Sequence, residues 1–173
     1  MAEPRWLDAD EQRAWLSLIA TMTLLDAALD RQLQRDSGLA HGQYAILSRL
    51  SDTPEHTMHM SDLALRTSSS QSRLSHAVAR LEEQGWVRRS RCPHNKRAVH
   101  ATLTESGFEL VRAAAPGHAG EVRRLLFDHL SDQQVAVLNE ITGIAIAALA
   151  AEAGEGPLPL MDGGPLCPPP PCG

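Results

Sequence analysis

Eight cationic side chains lie between residues 66 and 100: Arg66, Arg73, Arg80, Arg88, Arg89, Arg91, Lys96 and Arg97. Only Glu82 and Glu83 oppose them there, so the stretch carries +6 in a chain of net charge −5, leaving −11 on the remainder. Positive charge gathered on one short stretch of an acidic chain meets phosphate in one orientation, which makes nucleic acid the first candidate partner. The stretch also has the parts to read sequence. A helix is expected from about Gln71 to Gln84, stopped by a left-handed Gly85. Leu74, Ala77, Val78 and Leu81 form its core stripe, and Ser72, Arg73, Ser75, His76 and Arg80 fall on or beside the opposite face. Small polar residues there would let the backbone enter a major groove, with Arg73 and His76 donating to guanine edges or to phosphate. Ser69, Ser70 and Gln71, at the amino end, would offer hydroxyls and free amides to a phosphate oxygen. Beyond Gly85, a hairpin bearing Arg89, Arg91, His94, Asn95, Lys96 and Arg97 is too polar for a core strand. Its tip suits the backbone or a narrow minor groove, and Arg97 is the candidate for insertion.

Other chemistries fit less well. Ser68 to Ser72 with His76 lack the nucleophile elbow and placed carboxylate of a serine hydrolase, so an enzyme is not expected. Glu55, His56 and His59, even with His41, are too few and too loosely spaced for a zinc signature. Cys92 beside Arg89 and Arg91 could have an activated thiol, although a plain turn residue is the favoured reading. No cofactor or metal is implied. A winged-helix module that holds a protein partner is the main rival, and it would need apolar anchors among residues 88–97, where none occurs.

The elements that must hold this stretch read as mainly helical. The chain has 173 residues, 43% hydrophobic but only 3% aromatic, so its core must be built from Leu, Ala, Val and Ile. Asp8 and Glu11 open a long helix in which Trp15, Leu18, Met22, Leu25 and Leu29 recur at steps of three and four, a narrow seam that calls for a partner helix. A helix over residues 41–50 follows, then a short one capped by Ser61, a turn at Ser68 to Ser70 in which one serine should cap the next helix, and the basic helix, which together make a helix-turn-helix. Segments 86–91 and 97–103 make a two-stranded wing. Thr104 caps the next helix, which Pro116 and Gly117 should interrupt or kink. Ser131 with Gln134 caps the last helix, striped by Val135, Leu138, Ile141, Ala145 and Leu149. No apolar run approaching about 20 residues is evident, and the acidic amino terminus is unlike a signal peptide, so a cytoplasmic protein with no membrane partner is expected. Three cysteines, two of them (Cys167 and Cys172) in a Pro-rich tail, imply no disulfide framework.

The segments GLAHGQYAILSRL and MSDLALRTSSSQSRLSHAVARLEEQGWVRRSRCPHNKRAVHATLTESG resemble the MarR (multiple antibiotic resistance regulator) family of winged-helix repressors. The most specific features are the Leu81-Glu82-x-x-Gly85 turn, the wing arginine, and the Leu103-Thr104-x-x-Gly107 step into the following helix. The family's wing reads Pro-x-Asp-x-Arg; here Pro93 and Arg97 keep the frame, and Asn95 replaces the acid thought to orient that arginine. The resemblance implies a homodimer whose first and last helices interlock, through Trp15, Leu18, Met22, Leu25, Leu138 and Ile141. It also implies a palindromic double-stranded operator with half-sites about one helical turn apart, and association with the nucleoid when bound. A small phenolic or lipophilic effector between the dimer helices and the DNA-binding lobe is implied too, with Trp15, His41 and Tyr44 as candidate lining residues that would equally suit a core. A redox- or metal-responsive regulator of the same fold is the variant reading, although the first helix has no cysteine. The expected architecture is therefore mainly α, a winged helix-turn-helix lobe with a two-stranded β wing plus a helical dimerisation region. Its boundaries are 8–36 for the N-terminal dimerisation helix, 37–103 for the DNA-binding domain, 104–152 for the C-terminal dimerisation helices and 153–173 for a disordered Pro/Gly-rich tail.

Overall fold

The structure, a computed structural model, describes residues 5–92 and 95–152, with the backbone alone at 54, 92 and 95–98. The proposed tail, with Cys167 and Cys172, lies outside the described residues. The first helix, α1, spans Ala9–Ser37. Asp8 Oδ1 accepts from the amides of Asp10 and Glu11 at 2.8 Å each, and Glu11 Oε2 accepts from the Asp8 amide at 2.9 Å, so the capping box read from the sequence is formed. Helix α2, His41–Ser51, buries Tyr44, Ile46, Leu47 and Leu50. Strand β1 is Thr57–His59, α3 is Met60–Arg66 and α4 is Gln71–Glu83. Strands β2, Val87–Cys92, and β3, Asn95–Leu103, form the wing, and α5, Glu105–Leu125, with α6, Asp132–Glu152, completes the chain.

One continuous core joins these elements. Leu33, Leu47, Leu50, Leu63, Leu74, Val78, Leu81, Val87 and Val111 are each at most 2% exposed, which brings α1, α2, α3, α4, the wing base and α5 together. Each such side chain contributes about 1.5–3 kcal/mol relative to an exposed one, so α4 is held mainly by the stripe of Leu74, Val78 and Leu81. Its ends are set locally. Ser70 Oγ accepts from the Arg73 amide, and at the far end Gly85 takes φ +75°, which lets the Trp86 amide reach back to the Leu81 carbonyl at 3.0 Å. Gly107 permits the next junction: a Cβ there would lie 2.2 Å from the Trp86 carbonyl oxygen, so only glycine lets α5 start against the wing base.

Several expectations are corrected. The sheet has three strands in the order β1-β3-β2, all antiparallel, because Thr57–His59 pairs with His100–Thr102 and Thr57 Oγ1 lies 2.9 Å from Thr102 Oγ1. Three residues are too short to show a strand period, and the partner strand lies 45 residues away. The cap of α3 is His59, whose ring accepts from the Ser61 amide, in place of Ser61. Pro116 does not interrupt α5, which runs through it as one 21-residue helix packed against α1; the missing N–H forfeits one bond. Finally, α6 is long and apolar enough by length and composition to cross a membrane, with mean hydropathy 1.6 over its most apolar window, of which 6% is buried in this chain. Alanines between its branched residues make α6 apolar on more than one face, which a five-residue stripe understates.

Candidate nucleic-acid interface

The face of α4 opposite the core stripe is open to solvent. Gln71, Ser72, Arg73, Ser75, His76 and Arg80 are all exposed, while Leu74, Val78 and Leu81 point inward, as the helical spacing requires. Two serines are engaged within the turn itself. Ser69 is half-buried, its hydroxyl donating to the Thr67 carbonyl at 3.2 Å, and the Ser70 oxygen is engaged as the α4 cap. The turn between α3 and α4 uses these groups itself, with Ser68 in the left-handed region at φ +49°.

The wing's cations differ in their surroundings. Arg88 and Arg91 are exposed on β2. Arg89, also expected as a DNA contact, is held by Glu82: its Nε donates to Glu82 Oε2 at 2.8 Å, Nη2 approaches the same oxygen at 2.6 Å, and its backbone amide donates to Oε1 at 2.9 Å. The backbone amide, and then the guanidinium, hold the Glu82 carboxyl below its ordinary pKa. Glu82 thus ties the last turn of α4 to the first wing strand. His94 lies outside the described residues, and of Asn95, Lys96 and Arg97 only the strand backbone is described. The side chain of Cys92 likewise lies outside them.

A notch of about 280 Å³ opens between α4 and the wing, lined by His59, Met60, Ser61, Gln71, Ser75, Arg89 and Val99. His59 and Ser61 did not stand out in the sequence as parts of this surface. Only the β1–β3 pairing, which lays His59 beside His100, brings them here. The loop histidines considered as metal ligands have structural roles: His56 stacks on Phe108 with ring centroids 4.7 Å apart, and His59 caps α3.

Of the three residues considered for an effector pocket, the fold brings together two. Tyr44 and His41 lie 4.5 and 5.6 Å, centroid to centroid, from His118 of α5, a residue the sequence reading missed. His41 Nδ1 is 2.7 Å from Asp26 Oδ1, and its backbone amide donates to Asp30 Oδ1 at 2.9 Å, so α1, α2 and α5 meet here. Trp15 does not join them. It sits eleven residues, about 16 Å, up α1 from Asp26 and is 52% exposed. His118 is buried, and desolvation, then the neighbouring His41, push its pKa down to about 4.

A helix-turn-helix whose second helix bares a polar, basic face beside a basic β hairpin defines the winged helix-turn-helix class. The MarR family model matches residues 39–99. The crystal structure of Sco3205, a MarR family transcriptional regulator from Streptomyces coelicolor in complex with DNA, is 50% identical over 83% of this chain and 89% of that one, with a TM-score of 0.79. AbsC, another MarR family regulator from Streptomyces coelicolor, is 38% identical over 87% of this chain and 99% of its own, with a TM-score of 0.77. The transcriptional repressor MprA of Escherichia coli is 25% identical over 111 residues, and the match spans 64% of this chain and 62% of MprA. The chain belongs to the MarR family.

Proposed function

We propose that the chain is a cytoplasmic, sequence-specific transcriptional regulator that binds a palindromic double-stranded DNA operator as a homodimer, acting as a repressor. The observation that carries this reading is the pairing of the exposed α4 face, Gln71 to Arg80, with a basic wing on a net-acidic chain. In this reading α4 enters the major groove, Arg73 and His76 contact base edges, and Arg91, His94, Asn95, Lys96 and Arg97 approach the backbone or minor groove. The DNA-bound relative Sco3205, half identical in sequence, supports the same use here.

Dimerisation is supported by where the apolar surface lies. Among the described residues, every exposed large hydrophobic except Leu65 belongs to the N-terminal arm, α1 or α6. Trp15, Leu18 and Met22 of α1, with Ile141 of α6, are each at least 50% exposed, and Leu25 and Leu138 beside them are half-buried. A second copy would cover these faces and set the distance between two α4 helices. The junction of His41, Tyr44 and His118, which joins α1 and α5 to the lobe, is where a small-molecule effector would change that distance.

Duplexes recovered by the full chain from a random-sequence pool, compared with scrambled DNA across a salt series, test the proposal. A palindromic consensus bound with a clear preference over scrambled DNA is expected. Equal affinity for both at every salt concentration would remove the operator claim.

A further inference from the structure

We propose that the notch between α4 and the wing seats one DNA backbone phosphate, and that Glu82 is the positioning residue that aims Arg89 into it. The inference rests on the DNA-binding reading above and adds a defined contact to it. Arg89 both lines the notch and is held there by the Glu82 carboxylate through Nε and Nη2, while Glu82 also accepts from the Arg89 backbone amide. A flexible guanidinium held in this way gives up its freedom on folding instead of on binding DNA.

The lining points to phosphate in preference to a base. Arg89, Gln71 and Ser75, which carry a guanidinium, an amide and a hydroxyl, all line one opening, and together they are a donor set suited to anionic oxygens. The apolar walls are Met60 and Val99, which offer no aromatic platform for a stacked base. His59 Nδ1 accepts from the Ser61 amide, and the Ser61 hydroxyl sits between that nitrogen and the Asp62 carboxylate, so these two groups shape the rim and Asp62 is an acid beside it. Location agrees with the donor set. If α4 reads the major groove and the wing reaches the minor groove, the strand between the grooves must pass through the angle between them, where the notch opens.

The sign of one substitution separates this role from simple electrostatics. Removing an acid from a surface that meets a polyanion should tighten binding of every duplex. If Glu82 aims Arg89, Glu82→Gln should weaken binding instead. Glu82→Asp, which keeps the charge but shortens the reach, should weaken it as well.

The experiment uses the full chain and the duplex recovered from the random pool, with each phosphate replaced in turn by neutral methylphosphonate. One position per half-site should weaken the parent protein about tenfold, the loss of one charge-assisted contact, and have no further effect on Arg89→Ala. Glu82→Gln should bind the unmodified duplex several-fold more weakly than the parent at a temperature where circular dichroism shows both fully folded. Tighter binding by Glu82→Gln at every salt concentration would overturn the positioning role. Methylphosphonate losses that all multiply independently with Arg89→Ala would overturn the seat, and this arm stands even if Glu82→Gln fails to fold. A parent protein that binds no duplex would defeat the DNA-binding reading itself, and the seat with it.

Discussion

The α2–β3 lobe and the α1/α6 helices treat apolar surface in opposite ways. In the lobe Leu47, Leu50, Leu63, Leu74, Val78 and Leu81 are at most 1% exposed, and the surface left over is polar and basic. On α6 the only buried residue is Ala150, while Ile144 and Leu149 are 66% and 70% exposed. A lobe that closes its own core can present a rigid reading face from one chain. Helices that leave theirs open need a second chain, and the geometry of that second contact governs where the two reading faces stand. Rigidity and spacing are thus assigned to different parts of one molecule.

The largest expected effect tests the open half. Leu18→Glu with Ile141→Glu would bury unpaired charges in the proposed dimer contact, each costing about 3–5 kcal/mol. Sedimentation velocity should show monomer, with operator affinity lost. A monomer that keeps the parent's operator affinity would erase the contrast. In the closed half, Leu74→Ala removes a fully buried side chain and should cost about 2–5 kcal/mol in urea unfolding without changing oligomeric state at native conditions. Arg73→Ala should cost about 1–3 kcal/mol against the selected duplex but less against scrambled DNA, read by fluorescence anisotropy. Ser70→Ala, which deletes the α4 cap, should cost about 1 kcal/mol of stability.

The smallest effect sits where the two halves join. His118 holds its proton less tightly folded, with a pKa of about 4, than unfolded, with the ordinary 6.5. Below pH 6.5 the unfolded chain therefore binds a proton that the native state refuses, so stability falls as pH drops toward 4 and is fully retained above 6.5. Between pH 7 and pH 6 the loss should be roughly 0.5–1 kcal/mol. The same pH step on His118→Gln should show less loss by thermal melting; an identical loss would place the sensitivity on another histidine.

Much of the fold was legible because it depends on neighbours within a few residues. Asp8 with Glu11, Ser70 with Arg73, and Ser131 with Gln134 each close a cap across three residues, and the 3.6-residue spacing of Leu74, Val78 and Leu81 separates the core side of α4 from its reading side. The short segments on either side of residues 92–96 likewise read as a wing, and the seam from Trp15 to Leu29 called for a partner helix, to which the family's motifs added the operator. Three features escaped for lack of any local signal: the β1 edge strand, the Glu82–Arg89 clamp and the place of His118 against His41 and Tyr44.

By itself, then, the sequence determined the apolar side of α4, where capped helices such as α1 and α4 begin, and that one stretch would meet a polyanion, since composition and short-range spacing carry all of that. Only the tertiary structure decided which cations stand open and which are held. Arg73 and Arg89 look alike in the chain and both reach the surface, yet only Arg89 is also clasped by a carboxylate seven residues earlier, because the turn at Gly85 folds β2 back along the last turn of α4. A charge's availability is set by what lies across from it in space, and that is fixed only when the chain has closed.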